Sequence, residues 1–431
     1  MKSGTTSAPG LRTLSLLVAI VLLPAAAWAS ELRVGVAQAD ITPPIGSRMY
    51  GYSARGTNVS TGVHDPLYAK AIVLDDGSTR VAVATLDLGT VTHENVTNIK
   101  AIVKEGTGIE NVLCVASHTH SAPYPAADFP SEGDPWIRAA ERKIAGAIVE
   151  AAGNSVPARL GVGWGEVREG HNRRRVLEDG TVEMLWANRE RVPTRPVDYG
   201  LAVIRVEGLD GRPLATLVNF ACHPVILGPE NLEISADYPG VLARLLEEEI
   251  GGQAMFLQGA AGDINPFWDK TPPDEGAFEQ TETMGSALAT EALRVYREIT
   301  GLRSDRRLSF RSEIIPLAHR DDVERKEPIF DAEINTILLG DDLALATFPG
   351  EFFVEHGLAL KAQSRIENTL FVGYCNRRLR YFPTITAATE GGYGAAHYGS
   401  SSATQVEVGA GERLVNRALV NLYDQADMIQ P

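Results

Sequence analysis

VLCVASHTHSAP, residues 112–123, decides how the rest of the chain is read. Val112 to Ala116 is a short apolar run bounded by polar residues and Pro123, the pattern of a buried strand giving way to a loop. His118 and His120 stand at its exit. Side chains two residues apart on an extended chain point the same way. Both imidazoles are therefore expected on one face, just beyond the carboxyl end of a strand, where an α/β sheet holds its ligands. Neutral imidazole is the commonest metal ligand. Taken alone, the pair reads either as metal ligands or as two hydrogen-bonded loop histidines.

The same grammar recurs along the chain. Residues 214–222 run into His223-Pro224, residues 254–258 into Gly259-Ala-Ala-Gly-Asp-Ile-Asn-Pro266, and residues 343–348 into Pro349-Gly-Glu351. His223, Asp263 and Glu351 thus also leave apolar strands into Gly or Pro turns. Small residues in 259–262 let backbone approach a ligand closely. Two histidines, a carboxylate and an open position are the composition of a catalytic zinc site. The candidates are far apart in sequence, so no short-range ligand spacing certifies them. Cys114, Cys222 and Cys375 are also far apart and odd in number, which allows at most one disulfide. Cys114 and Cys222 sit in apolar strands beside the histidines and read as small core residues rather than ligands.

Outward from these strands, residues 32–40 alternate apolar and polar until Thr42-Pro-Pro breaks the run. Asp75-Asp-Gly-Ser joins 68–74 to 79–86, and Asp210-Gly joins 200–207 to 214–222. Asp-Gly between apolar runs predicts a hairpin in each case. Further strands are expected around 158–164 and 370–374. Asp134-Pro135 is expected to cap a helix in which Ile137, Ala140, Ile144, Ile148 and Ala151 share a face, ended by Gly153. A second helix starts at Pro239 with Val241, Leu242, Leu245 and Leu246, and a third carries Met284, Leu288, Ala292 and Val295. His171-Asn-Arg-Arg-Arg-Val176 reads as a polar loop whose arginines are solvated. Residues 377–402 read as a long loop of the kind that is usually functional. Strands alternating with helices predict an α/β fold, and the hairpins make its β-sheets mixed, flanked by helices. No Pro-, Gly- or Ser-rich linker divides residues 30–431, which are expected to form one domain.

Residues 1–29 read as an export signal. Lys2 and Arg12 are followed by the apolar run 14–23, Pro24 and Ala27-Trp-Ala29, with cleavage expected after Ala29. The run is too short to span a bilayer comfortably. The expectation is a bacterial protein exported to the periplasm or the medium, with no transmembrane span after cleavage. The formal charge of −15 becomes more negative still when Lys2 and Arg12 are removed. An acidic chain of this kind excludes nucleic-acid binding, because phosphate contacts need clustered Lys and Arg. A small-molecule or lipid substrate remains as the partner class, and the oligomeric state is left open.

The motifs have a family likeness. Gly35-Val-Ala-Gln-Ala-Asp40-Ile-Thr with Gly51-Tyr52, Ser117-His-Thr-His-Ser, Asn219-Phe-Ala-Cys-His-Pro, Gly262-Asp-Ile-Asn-Pro and Pro349-Gly-Glu351 follow one another in this order. The chain in this respect resembles the catalytic domain of neutral (alkaline, non-lysosomal) ceramidases, over nearly all of residues 30–431. Those enzymes are zinc-dependent amidases that split ceramide into sphingosine and a fatty acid. The resemblance implies a neutral-ceramidase catalytic-domain-like fold and Zn²⁺ bound by His118, His223 and Glu351. A tyrosine, Tyr393 in Gly391-Gly-Tyr-Gly-Ala-Ala or else Tyr398, would be the fourth ligand. It implies an amidohydrolase that cleaves an N-acyl bond of a ceramide-like or related substrate through a metal-activated water. His120 would position the substrate or the attacking group, and Asp263 would orient His120 or a ligand histidine. Arg173 matches an arginine that faces the substrate.

Two departures qualify the likeness. The family's proposed serine nucleophile, in Gly-Asp-x-Ser-Pro, is Asn265 here. An amide cannot replace that hydroxyl, although it can donate to an oxyanion. The family's C-terminal immunoglobulin-like domain is expected to be missing, since the sequence ends soon after Tyr423. Other readings are therefore a metallohydrolase of the same scaffold acting on an ester, peptidic or sugar-linked substrate, or a non-catalytic lipid- or glycan-binding relative.

Overall fold

A computed structural model describes residues 1–6, 31–125, 129–130, 135–320, 330–396 and 406–430. The expected export signal, the Asp134 cap and Tyr398 lie mostly or wholly outside these residues. No helix among the described residues is long and apolar enough to cross a membrane.

Two mixed sheets stack face to face. The larger has eight strands, in the order Gln253–Gln258, Pro213–Phe220, Gly200–Gly208, Val156–Glu166, Arg33–Asp40, Tyr68–Asp75, Arg80–Leu86 and Asn111–Ala116. The smaller has four: Leu308–Leu317, Phe330–Leu339, Leu343–Thr347 and Asn368–Val372. Ile72, Val83, Leu160 and Leu217 of the first share a buried core with Ile337, Leu339 and Leu345 of the second. Helices cover the outer faces. α1 (His93–Thr107), α2 (Trp136–Gly153), α3 (Tyr238–Ile250) and α4 (Ala277–Glu298) pack on the larger sheet. α5 (Val354–Gln363) and α7 (Ala410–Gln425) pack on the smaller one, and the short α6 (Ile385–Glu390) lies between them in sequence. Strands covered on both faces read as apolar runs rather than alternations, as in Tyr68–Asp75, buried at every inner position.

Both predicted hairpins form, as antiparallel pairs. In α2 the residues expected on one face, Ile137, Ala140, Ile144, Ile148 and Ala151, are all buried. In α4 so are Met284, Leu288, Ala292 and Val295. Three readings need correction. Residues 93–107 had no expected element, yet form α1. A capping box between Thr92 and Asn95 starts it, and Val96, Ile99 and Val103 supply its buried face. The long loop at 377–402 contains the strand Tyr381–Phe382 and α6. The polar loop at 171–176 is made of two short strands, with Arg173 and Arg174 buried and only Arg175 exposed.

Three parallel pairs place the site. Arg80–Leu86 runs with Asn111–Ala116, Pro213–Phe220 with Gln253–Gln258, and Leu343–Thr347 with Asn368–Val372. Their carboxyl ends are laced together across the two sheets. The Gly259 N–H donates to the Phe220 carbonyl (2.9 Å), Gly373 to Gln258 (2.9 Å), Ala116 to Tyr374 (3.2 Å) and Phe348 to Val372 (2.8 Å). Every candidate strand-end residue leaves from this one edge.

Candidate metal centre

The strand carrying the His-x-His stretch stops at Ala116. His118 then takes a left-handed backbone, φ 72°. The two imidazoles therefore converge through a turn, not through the side-to-side alternation of an extended chain. Their Nε2 atoms lie 3.3 Å apart. His118 Nδ1 lies 2.6 Å from the Gly89 carbonyl oxygen and donates its proton there. His223 Nδ1 likewise donates to the Ile264 carbonyl oxygen, at 3.1 Å. With each Nδ1 committed to backbone, each Nε2 turns a bare lone pair inward, the tautomer a metal needs. Glu351 Oε2 meets both, 3.3 Å from His223 Nε2 and 3.4 Å from His118 Nε2.

The electrostatics suit a cation. Burial holds the His223 imidazole down at about 4, although its bond to Glu351 pulls the other way. Burial, with His118 and His223 as neighbours, holds His120 well below its ordinary value. Burial works to raise the Glu351 carboxyl, but the imidazoles of His118 and His223 outweigh it and keep the group well below the usual carboxylate range. Imidazole nitrogens and one ionised carboxylate, buried together, form a zinc-type donor set. The ligand atoms of His118, His120 and His223 all lie within 4.8 Å of one another. Facing lone pairs at such distances repel unless a cation stands between them, so the residues present fit a divalent metal ion.

The other expected residues fall around this centre in less expected ways. Asp263 does not orient a histidine. One of its carboxylate oxygens accepts from the Val354 N–H at the start of α5 (2.7 Å) and the other from Asn172 Nδ2 (2.7 Å). Orientation of His223 comes instead from the next residue's carbonyl. Asn265 does not present its amide N–H to a reacting oxygen. That group donates to Asp269 Oδ2 (2.8 Å) and the Trp186 carbonyl (3.4 Å), and Asn265 Oδ1 accepts from Arg173 Nη1 (3.2 Å). Arg173 also donates to the Gly262 carbonyl (2.5 Å) and Tyr381 Oη (3.3 Å), inside a box of Trp186, Tyr381 and Tyr393 rings. Burial alone would lower its pKa, but the Tyr381 and Tyr393 phenols and Glu351 raise it, so it stays charged. Tyr393 borders the same cavity as His118, His120 and Glu351.

Several contributors were not singled out from sequence. Gln258 is fully buried. Its Nε2 donates to the Ser117 (3.0 Å) and Cys222 (2.8 Å) carbonyls, tying the two histidine-bearing loops together. Arg55, buried in a loop that looked merely glycine-rich, donates to the Tyr50 and His120 carbonyls, each at 2.7 Å. Tyr374 packs its ring 4.3 Å from that of His118. Tyr381 sits in register with Glu351 across a two-strand pairing. A Cβ at Gly51, where φ is +101°, would collide with the His120 ring, which is why a glycine stands there. The apolar run before Gly259 was the available signal for Gln258. Arg55, Tyr374 and Tyr381 carried none, because isolated Tyr and Arg are common.

The family model described as "Neutral/alkaline non-lysosomal ceramidase, N-terminal" matches residues 32–283, more than half of the chain. The chain belongs to the neutral/alkaline non-lysosomal ceramidase family. It is 27% identical over 323 residues to neutral ceramidase A of Dictyostelium discoideum, a match covering 63% of this chain and 44% of that one. With the neutral ceramidase of Drosophila melanogaster it shares 24% over 326 residues, 62% and 44% of the two chains. The matched stretch thus spans less than half the length of these curated relatives. A solved structure described as "Ceramidase complexed with C2" superposes with a TM-score of 0.74 at 19% identity, covering 93% of this chain and 76% of the other. A neutral ceramidase from Pseudomonas aeruginosa gives 0.73 at 20% identity, covering 92% and 75%. At that identity the superpositions speak to the fold, and they give this ceramidase-family chain the mixed sheets and flanking helices found in those structures.

Proposed function

We propose that this ceramidase-family chain is an exported zinc-dependent hydrolase that cleaves the N-acyl bond of a ceramide-like or related substrate. The observation that carries the reading is the meeting of His118 Nε2, His223 Nε2 and Glu351 Oε2 at one buried point, with both Nδ1 atoms held by backbone carbonyls. Those three residues would hold the ion. Bound there, zinc supplies Lewis acidity, polarising a carbonyl and lowering the pKa of water to about 7.

The chain's own residues do the rest. His120, neutral at pH 7 because burial depresses its pKa, takes the proton of the attacking water at Nε2 and passes it to the leaving amine nitrogen. The water oxygen joins the acyl carbon as the C–N bond breaks, giving a carboxylic acid and an amine. Arg173, with Tyr381 and Tyr393 around it, supplies fixed positive charge beside the cavity. Its guanidinium is already pinned by Asn265 and Gly262, so no reorganisation is needed as negative charge develops. No serine is required at position 265 by this route.

The test is metal analysis of the purified full chain together with amine release from a panel of N-acyl compounds. We expect about one zinc per chain, activity lost on chelation, and both zinc and activity lost in His118→Ala and His223→Ala. Full activity in both variants would refute the proposal.

A further inference from the structure

We propose that the substrate is a short N-acyl compound carrying a carboxylate, of the N-acyl amino-acid class, rather than a ceramide. The inference rests on the hydrolase reading above and names its substrate class.

Size and wall chemistry come first. The cavity over His118, His120 and Glu351 has a volume of about 260 Å³. Pockets that take drug-sized ligands run from about 300 to 1,000 Å³, and a lipid with two hydrocarbon chains needs still more. Such a lipid also needs apolar walls. Among the described lining residues Met49 is the one aliphatic side chain; tyrosines 50, 52, 124, 381 and 393 and arginines 378 and 380 make up most of the remainder.

Charge comes next. The chain as a whole is strongly acidic, −15. Yet among the described lining residues Glu351 is the only carboxylate, and it faces the metal centre. Arg378 and Arg380 put positive charge at the same opening. Arg378 is held in place there. Its guanidinium lies 5.5 Å from the Tyr50 ring centre and 5.9 Å from that of Tyr124. It donates to Tyr124 Oη at 3.4 Å. The two rings are themselves stacked, 6.1 Å apart at 21°. Seating a long, exposed side chain against a stacked aromatic pair removes part of the ordering entropy that binding would otherwise oppose. A guanidinium has five donors, so its fork retains N–H groups for a carboxylate, which it grips in bidentate geometry. A carboxylate at Arg378 and an acyl carbonyl at the metal centre fit the two ends of one small molecule.

The test compares N-butyrylglycine with its neutral twin N-butyrylglycinamide and with a short-chain ceramide, using zinc-loaded full chain. Amine release is measured for each, and binding of N-butyrylglycine to the metal-free chain by calorimetry. We expect kcat/KM for the acid to exceed that for the amide by about tenfold, the factor one charge-assisted hydrogen bond carries. In Arg378→Gln that ratio should fall toward one, through KM, with weaker binding in calorimetry. Arg378→Lys, which keeps the charge and loses the fork, should restore only part of it. Equal or better turnover of the amide or the ceramide would overturn the substrate class while leaving the hydrolase reading intact. Hydrolysis of none of the three, with zinc bound, would overturn both.

Discussion

Asn265 shows how one residue's role is set by its neighbours. Its side chain lies between an arginine and an aspartate, accepting from Arg173 Nη1 and donating to Asp269 Oδ2. Burial raises the Asp269 carboxyl to about 6, with Lys270 pulling it back down. Asn265 supplies a donor to one charged group and an acceptor to the other, which neither serine nor aspartate can do in the same shape. Asn265→Ala leaves both partners short of a hydrogen bond. We expect it to destabilise the fold by about 3 kcal/mol, since a hydrogen bond to a charged group contributes about 1.5–3 kcal/mol. Zinc stoichiometry should be unchanged, because His118, His223 and Glu351 are held by other contacts. Urea unfolding with metal analysis on the same sample checks both halves.

Among the elements, α3 carries the clearest pH signature. Its N-cap, Asp237, adopts φ 57° and accepts from the Tyr238 N–H (2.7 Å) and the Leu227 N–H (3.1 Å). Burial raises its pKa to about 7 against those two bonds. An exposed aspartate titrates near about 3.9, so between these values the folded chain holds a proton that the unfolded chain has released. Stability then falls as pH rises across that window. The contribution is full below about pH 4 and gone above about pH 7. Asp237→Asn cannot titrate. Asparagine caps a helix about as well as aspartate, and we expect the variant's Tm to drop less than the wild-type Tm between pH 5 and pH 8. Parallel scanning calorimetry curves would show the wrong sign assignment at once.

At the scale of the molecule, the centre joins segments that the chain keeps far apart. His118 follows a strand of the larger sheet, His223 follows another, and Glu351 follows a strand of the smaller sheet. An ion shared by these residues cross-links the two stacked sheets at their common edge. A ligand at about 1,000 times its Kd adds about 4 kcal/mol to stability. For roughly 400 residues that corresponds to a Tm shift of about 5 °C. Chelation should therefore lower Tm by about 5 °C and His118→Ala should abolish the difference, both measurable by thermal unfolding with and without added zinc.

The sequence by itself determined which residues leave strands into turns, and so named His118, His120, His223 and Glu351. Hydrophobic period and Gly or Pro punctuation are local properties, and local physics makes strand ends legible. It also determined both hairpins and the buried faces of α2 and α4. Only the tertiary structure decided what each polar group meets. Arg173 and Arg174 read as solvated because nothing nearby in sequence could pair them. In the fold, Gly262, Asn265, Tyr381 and Glu390 do so from about 90 to more than 200 residues away. Asp263 turned to α5 instead of a histidine for the same reason. A buried polar side chain goes where its hydrogen bonds can be satisfied, and the partners that satisfy it are set by how sheets and helices stack.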